Sequence, residues 1–267
     1  MTPPRRSVGQ AIRAALLTPG ARDKVLAARA AARDWRLGRL YMVFDFPMPD
    51  QPAWPARPVL LPPREMPKRA AGGGPEARIA LWHALAHIEF VAIDLALDMA
   101  GRFGGALGEG FVSDFLAVAA DEAMHFTLLD RHLRLLGSYY GALPAHDGLW
   151  QSAAATRHDV AARLAIVPMV LEARGLDVTP ATLAKVRQHG DRRGARILER
   201  ILADEIRHVA IGIKHFAKVA GDSAQPPQNL WQELVKSYFR GAIKPPFNDS
   251  ARAAAGLSRE WYAAIDW

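Results

Sequence analysis

The chain has 267 residues, half of them apolar, and it contains no cysteine. A chain of this length can bury a large core without covalent cross-links, and the lack of cysteine excludes disulfide frameworks, thiolate metal sites and cysteine nucleophiles. Any bound metal would therefore use oxygen and nitrogen ligands, which suit iron, manganese or zinc better than a thiophilic ion.

The net charge of +7 is concentrated near the N-terminus. Residues 1–70 contain 13 Lys/Arg and 5 Asp/Glu, whereas the other 197 residues contain 21 and 22. A basic arm of this kind can bind RNA, DNA or anionic lipid. We favour the simpler interpretation, in which the charge lies on the solvated face of an amphipathic helix.

The same arm shows little sign of membrane targeting. No uninterrupted apolar run approaches the roughly 20 residues that a membrane helix needs. Arg13 interrupts the apolar stretch near the N-terminus, and Arg22 and Lys24 follow it. A secretory signal is therefore not expected, and the sequence predicts a cytoplasmic protein without a membrane partner.

The first predicted elements are a basic helical arm over residues 1–43 and a strap over residues 44–75. One or two helices fit residues 7–40, with a break at Thr18-Pro19-Gly20. The strap contains many prolines followed by the glycines at 72–74, which a regular helix cannot accommodate. We expect it to be extended, with a disordered linker as the alternative. Its apolar anchors would be Trp54, Val59, Leu60 and Leu61.

Helical patterns dominate from residue 76 onward, and they predict a four-helix bundle over residues 76–220 and a helical extension over residues 221–267. No strand pattern of period two is convincing, so the predicted fold class is all-α. The four helices should cover about residues 76–102, 108–137, 152–175 and 191–220, with a fifth near 227–240 and a short one ending near Trp267. The breaks between them should fall at Gly101 to Gly105, Gly137 to Pro144 and Gly175 to Pro180.

The most informative feature is a repeated arrangement of carboxylates and imidazoles. Two Glu-x-x-His steps are each preceded, 33 residues upstream, by a lone glutamate. The first triad is Glu89, Glu122 and His125, and the second triad is Glu172, Glu205 and His208. Helical residues three apart share a face, so the glutamate and histidine of one step can reach the same ion.

Each of these glutamates lies in the middle of an apolar helical stripe. A carboxylate buried alone is costly or becomes neutral, and two divalent cations would balance four carboxylates while the imidazoles bind uncharged. The pattern therefore predicts a two-metal centre with pseudo-twofold symmetry. Glu122 and Glu205 can bridge the ions and are the predicted catalytic residues, whereas Glu89 and Glu172 would be terminal ligands.

An aspartate stands immediately before each Glu-x-x-His step, at Asp121 and Asp204. Metal-bound histidines usually donate their second N–H to a carboxylate. We therefore expect these aspartates to orient the histidines, acting across to the opposite helix. The alternative is ordinary acidity on a helix surface.

The Asp-Glu-x-x-His steps resemble those of ferritin-like di-iron carboxylate proteins, including bacterial multicomponent monooxygenases and ribonucleotide reductase small subunits. More closely, five segments over roughly residues 40–255 are similar to an uncharacterised bacterial ferritin-like family, known only as a domain of unknown function. The segments are LWHALAHIEFVAIDLALDMAGRF, DEAMHF, LEARGLDVTP, DEIRHV and KPPFN. The resemblance implies a ferritin-like bundle and supports the six ligands, but it implies no substrate.

Several other residues have types that could serve a metal site. Pro168 should kink the helix that carries Glu172, free a carbonyl and mark an opening for substrate, although simple packing adaptation is equally consistent. His83 and His87 fall off the predicted metal-facing stripe and should be hydrogen-bonded structural residues. Tyr139 and Tyr140 lie at a predicted helix end, which favours packing over radical chemistry.

These observations favour a non-haem di-iron oxidoreductase, an O2-dependent oxygenase or hydroxylase acting on a small organic substrate with a separate electron donor. Two iron ions are expected, with manganese or a mixed manganese and iron pair as alternatives, in a monomer or dimer. A ferroxidase that handles iron is the second hypothesis. A ferritin-like tRNA-modifying hydroxylase is a third, because the arm is basic and RNA could be a partner. A bundle without metal would leave the buried glutamates unexplained.

Overall fold

The structure, a computed structural model, describes residues 6–67, 74–221 and 223–263. These residues are mostly helical and contain almost no strand, which confirms the predicted all-α class. The chain divides into two compact units, Met1–Trp150 and Gln151–Trp267. The predicted boundaries of the arm, strap, bundle and extension stay predictions.

The first unit is built mainly from four helices joined by irregular segments. They are α1 (Val8–Leu16), α2 (Ala21–Arg36), α3 (Pro75–Leu107) and α4 (Glu109–Leu135). The hydroxyl of Ser7 caps α1 by accepting a hydrogen bond from the Gln10 amide at 3.1 Å. The predicted break between the two arm helices at Thr18-Pro19-Gly20 is confirmed. Two very short strands, β1 (Arg6–Ser7) and β2 (Leu40–Tyr41), pair in parallel at the two ends of the arm.

Helix α3 does not end at Gly101, as the sequence suggested, but continues to Leu107. The glycines in this stretch allow close packing. A Cβ atom added at Gly101 would lie 2.5 Å from the sulfur of Met48, and one added at Gly104 would lie 2.5 Å from Val112. The predicted helix end was wrong because these glycines make room for neighbouring side chains. Helix α3 ends one residue before Gly108, which has a positive φ of 88°.

The strap has no regular α-helix between residues 44 and 67, as predicted. Trp54 anchors it by donating its indole N–H to Asp94 at 2.8 Å, and Leu61 donates its amide to the Ala145 carbonyl at 2.8 Å. Val59 is 54% exposed, so its prediction as an apolar anchor was wrong, whereas Met48 is buried. The glycines at 72 and 73 lie outside the described residues.

By length and composition alone, α3 could cross a membrane, because its most apolar 18-residue window has a mean hydropathy of 1.5. Yet 67% of that window is buried within the protein. Core helices of soluble proteins have the same properties, so this helix gives only weak support for a membrane segment.

Lys24 and Asp94 form a fully buried ion pair within the first unit. The Lys24 ammonium lies 2.5 Å from Asp94 Oδ1 and also donates to the Leu16 carbonyl at 3.2 Å. Burial raises the pKa of Asp94 to about 6, although Lys24 opposes the change. The pair connects the basic arm to α3, the helix that carries Glu89.

The second unit contains a long helical segment with a π-helical turn, followed by further helices. The elements after the short α5 (Gly148–Ala155) are α6 (Val160–Ile166), the π turn (Val167–Glu172), α7 (Ala173–Gln188), α8 (Arg192–Ala220), α9 (Pro227–Tyr238), α10 (Asp249–Ala254) and α11 (Arg259–Tyr262). The sequence predicted one continuous helix over residues 152–175, and this prediction was wrong. Residues 156–159 interrupt it, and Asp159 caps the new start by accepting from the amides of Ala161 and Ala162. The last short helix was predicted to end near Trp267, a position that lies outside the described residues.

The predicted break between Gly175 and Pro180 was also wrong, because both residues lie inside α7. Proline lacks the N–H that would bond to the carbonyl four residues earlier, here that of Leu176. The side-chain amide of Asn248 donates to this carbonyl at 3.1 Å instead. The segment containing Asn248 is further fixed by Arg252, which forms a buried bidentate pair with Asp177 at 2.8 and 2.7 Å.

We predict that Lys24→Met lowers the free energy of unfolding by about 3–5 kcal/mol at neutral pH, since it leaves a buried carboxylate without its cation. Adding Asp94→Asn should recover much of the loss. Lys24 lowers the pKa of Asp94, so its loss raises that pKa above the value of about 6 in the ion pair, and the penalty should shrink as the pH falls toward 6 and the carboxyl group of the variant becomes protonated. Urea denaturation measures each effect, with the exposed Lys236→Met as the control. A loss that neither acid nor Asp94→Asn relieves would contradict the buried-pair assignment.

Asn248 donates to the Leu176 carbonyl that Pro180 leaves without its usual N–H donor, so substitutions at Asn248 and Pro180 should be coupled. Asn248→Ala should destabilise the protein by about 1–2 kcal/mol, because it leaves the Leu176 carbonyl without a donor and removes the cap of α10. In a Pro180→Ala background, residue 180 can supply the missing N–H, so the cost of Asn248→Ala should fall by about 1 kcal/mol. A double-mutant cycle by chemical denaturation measures this coupling, and additive losses would argue against it.

Candidate metal centre

The first triad lies within the first unit, on two adjacent helices. Glu89 projects from α3, and Glu122 and His125 lie one turn apart on α4. All three side chains are buried, with exposed fractions of 5% for Glu89, 1% for Glu122 and 0% for His125. Their potential ligand atoms lie within 4.8 Å of one another. The structure therefore brings together three residues that the sequence places up to 36 positions apart.

Hydrogen bonding and burial strongly perturb the first triad. His125 Nδ1 lies 3.2 Å from Glu89 Oε2 and 3.3 Å from Glu122 Oε2. Burial disfavours a charge on His125, but its bonds to Glu122 and Glu89 outweigh this and raise its pKa to about 11. Burial and the nearby Glu122 charge raise the pKa of Glu89 well above its usual range. A positive charge among these carboxylates is thus strongly favoured, and a metal ion could supply it through the same oxygen and nitrogen atoms.

The second triad lies within the second unit. Glu172 is the last residue of the π turn, and Glu205 and His208 lie one turn apart on α8. Their potential ligand atoms also lie within 4.8 Å, and His208 Nδ1 is 3.6 Å from Glu205 Oε1. Glu205 and His208 are buried, whereas Glu172 is only partly buried. The expectation that every glutamate is deeply buried was therefore wrong for Glu172.

A close approach of two helical segments sets the position of Glu172. Pro168 lies in the π turn, where the sequence predicted a kink. A Cβ atom added at Gly212 of α8 would lie 2.4 Å from Pro168 Cβ, closer than non-bonded carbons can approach. The glycine thus lets the π turn pack against α8 one turn beyond His208. Single π turns inside α-helices are frequently found at functional sites.

The two aspartates that precede the Glu-x-x-His steps lie beside the triads in the chain. Asp204 is buried and accepts hydrogen bonds from Arg200 at 2.5 Å and Arg207 at 3.4 Å, both on its own helix. Asp121 is partly buried. Their predicted role in orienting the histidines stays a prediction.

His83 and His87 are hydrogen-bonded structural residues, as predicted. His83 Nε2 accepts a hydrogen bond from the Gly141 amide at 2.9 Å. His87 lies 3.0 Å from both the Tyr140 hydroxyl and the His146 carbonyl, and burial lowers its pKa to about 4. A neutral His87 that donates from Nε2 and accepts at Nδ1 satisfies both contacts. Tyr140 packs against this pair as expected, but Tyr139 is 49% exposed and does not.

Two further buried acids follow Glu89 on α3, and neither was predicted from the sequence. Asp94 pairs with Lys24, and Asp98 accepts a bidentate hydrogen bond from Arg102, which also donates to the Pro49 carbonyl at 2.9 Å. Asp98 and Arg102 stand four residues apart in a mainly apolar helix, and that spacing was a usable signal. Lys24 lies 70 residues from its partner and gave no comparable signal.

The chain was compared with known proteins. The model of a family described as "Protein of unknown function (DUF455)" matches residues 17–263. A protein of Haemophilus influenzae, described as uncharacterized, is 43% identical over 221 residues, which cover 80% of this chain and 75% of the relative. No solved structure matches the chain. The descriptions of these relatives therefore name no activity.

Gly212→Ala should disturb the second triad, because the added methyl group must displace the rigid Pro168 ring and with it the π turn that ends at Glu172. We expect a loss of about 1–3 kcal/mol in stability, the usual cost of overpacking, together with weaker metal binding. Gly175→Ala is the matched control, since it lies inside α7 with nothing within 4 Å of the added carbon. That change should stabilise the protein by about 0.5–1 kcal/mol and leave metal content intact. Equal effects of the two substitutions would refute the steric explanation.

Proposed function

We propose that this chain, which belongs to the DUF455 family of proteins of unknown function, is a non-haem di-iron oxidoreductase that uses O2 to oxidise a small organic substrate. One observation carries this proposal: in each unit, two carboxylates and one imidazole converge with ligand atoms within 4.8 Å. Such a donor set suits ferrous iron or manganese, and the carboxylate oxygens make it too hard for a thiophilic ion.

The two triads have the same composition and the same 33-residue spacing between the lone glutamate and the Glu-x-x-His step. Ferritin-like di-iron proteins use this ligand pattern, a glutamate from each of two helices and a Glu-x-x-His step from each of two others. By that analogy, each triad would hold one ion, and the two ions would form one dinuclear centre. Membership of the ferritin-like superfamily is part of the proposal.

Bound there, two ferrous ions supply the electrons for activating O2 toward an organic substrate. The protein's own groups provide the charge, the dryness and the proton handling. Glu89 and Glu122 supply negative charge from two helices, and His125 must release the proton on Nδ1 before that atom can bind a metal. Phe90 and Phe126 directly follow Glu89 and His125 in the chain, and both are buried with their rings 5.4 Å apart, so the surroundings of the first triad are partly apolar.

Metal content gives the direct test of the ligands. Protein purified after growth with ample iron should contain two iron ions per chain. His125→Ala and His208→Ala should each reduce that number to one or fewer, because each removes a nitrogen ligand from one triad. The exposed His189→Ala is the control and should keep both ions. Two ions retained in both triad variants, measured by elemental analysis, would reject the ligand assignment.

Two further measurements separate the enzyme from its alternatives. Mössbauer spectra of oxidised, iron-loaded protein should show a magnetically coupled pair of iron ions. Two uncoupled ions would be consistent with the ligand assignment but would reject a dinuclear centre. Reduced protein should consume O2 without accumulating a ferric core, and it should elute as a monomer or dimer. A large assembly that stores ferric iron would instead indicate a ferroxidase.

A further inference from the structure

A second candidate site lies on the first unit, in a groove between α2 and the C-terminal half of α4. The groove has a volume of about 640 Å³. Small-molecule sites typically enclose about 300–1,000 Å³, so the groove can hold a ligand of ordinary metabolite size.

Four exposed arginines dominate the rim of this groove. Arg22 and Arg29 lie two turns apart on α2, and Arg131 and Arg134 lie one turn apart on α4. The only acidic residue among the lining side chains is Asp130, which pairs with Arg134 at 2.9 Å. Among the residues that the structure describes, Arg22, Arg29 and Arg131 form no ion pair. Three positive charges are therefore directed to one opening without compensation.

The floor of the groove is largely apolar. Val25 and Phe126 are buried, and Tyr140 is partly buried, with its ring 5.0 Å from that of Phe126. The Tyr140 hydroxyl lies 3.0 Å from His87, so this polar atom is already engaged. Leu26, which is 55% exposed, adds an apolar side chain at the edge. The groove thus combines an apolar floor with a cationic rim.

We propose that this groove binds a small organic phosphate. Its apolar body would lie on Val25, Phe126 and Tyr140, and its phosphate would be held by the rim arginines. Arginine forms bidentate hydrogen bonds with phosphate, and a phosphate monoester carries a charge of about −1.5 to −2 at neutral pH, which matches this excess of positive charge better than a single carboxylate does. The bounded volume and apolar floor favour a small molecule over a nucleic acid strand, which would follow an extended basic track.

This site is independent of the proposed metal centre, because phosphate binding requires only the arginines and the floor. The two are nevertheless close in the chain, since Phe126 directly follows the ligand His125. A bound phosphate ester would therefore rest on the helix that carries two residues of the first triad.

Hexyl phosphate is a suitable probe, because it joins a phosphate to a short apolar chain. Isothermal titration of the full-length protein should show saturable binding with one site per chain. Inorganic phosphate should bind at least tenfold more weakly, and 1-hexanol should give no measurable binding. The experiment measures binding and not turnover. Absence of hexyl phosphate binding would therefore not contradict the proposed metal centre, and absence of metal would not contradict the proposed phosphate site.

Variants then assign the binding to the groove. Arg29→Gln combined with Arg131→Gln should weaken hexyl phosphate binding at least tenfold, whereas Arg36→Gln, an exposed change on the same helix outside the groove, should not alter it. Leu26→Ser should reduce the preference for hexyl phosphate over methyl phosphate. Unchanged thermal midpoints would show that the variants are folded.

Three results would overturn the proposal. They are unchanged affinity in the double arginine variant, equal affinity for hexyl phosphate and inorganic phosphate, and no saturable binding of hexyl phosphate at all. If single-stranded RNA alone bound, with a steep salt dependence that required Arg29 and Arg131, the arginines would serve nucleic acid instead.

Discussion

The burial of carboxylates inside apolar helices is the constraint on which the rest of this structure depends. A buried carboxylate keeps its charge only beside a compensating cation. Asp94 has Lys24, Asp177 has Arg252, and each of these cations is itself buried. Each of these two acids therefore has at least one basic side chain as its partner. The triads are built differently, because each places two carboxylates beside a single titratable imidazole. That stoichiometry is suited to a divalent ion.

The second unit shows how backbone irregularities are tolerated around such residues. Pro168 lies in a π turn, and the missing side chain of Gly212 gives it room. Pro180 would leave the Leu176 carbonyl unsatisfied within α7, and Asn248 supplies the missing donor. In both cases a residue distant in sequence compensates a local defect. Glu172 lies between the two prolines, and the π turn that contains Pro168 ends at this residue.

The difference between local signals and partners distant in sequence explains how much of the fold and of the site could be predicted. The Glu-x-x-His steps are local, and helical spacing alone places glutamate and histidine on one face. The break before α2 and the ends of α4 and α8 also follow from local signals. Gly101 and Pro180 were misread as helix ends because their roles depend on Met48 and Asn248, which lie more than 50 residues away. Local sequence patterns contain no information on a steric or hydrogen-bonding partner at that distance.

The fold determines which arginines of the basic arm lie together. From the sequence alone, we favoured a solvated helix face for these arginines, and several of them are exposed. The fold places Arg22 and Arg29 opposite Arg131 and Arg134, above side chains that are largely apolar. Solvation alone would be served by arginines dispersed around α2, whereas here two pairs from different helices face one opening. Repulsion among them is a cost that an anionic ligand would remove. The arrangement therefore favours a binding role for part of the arm's charge, and it places that role on the unit that holds the first triad.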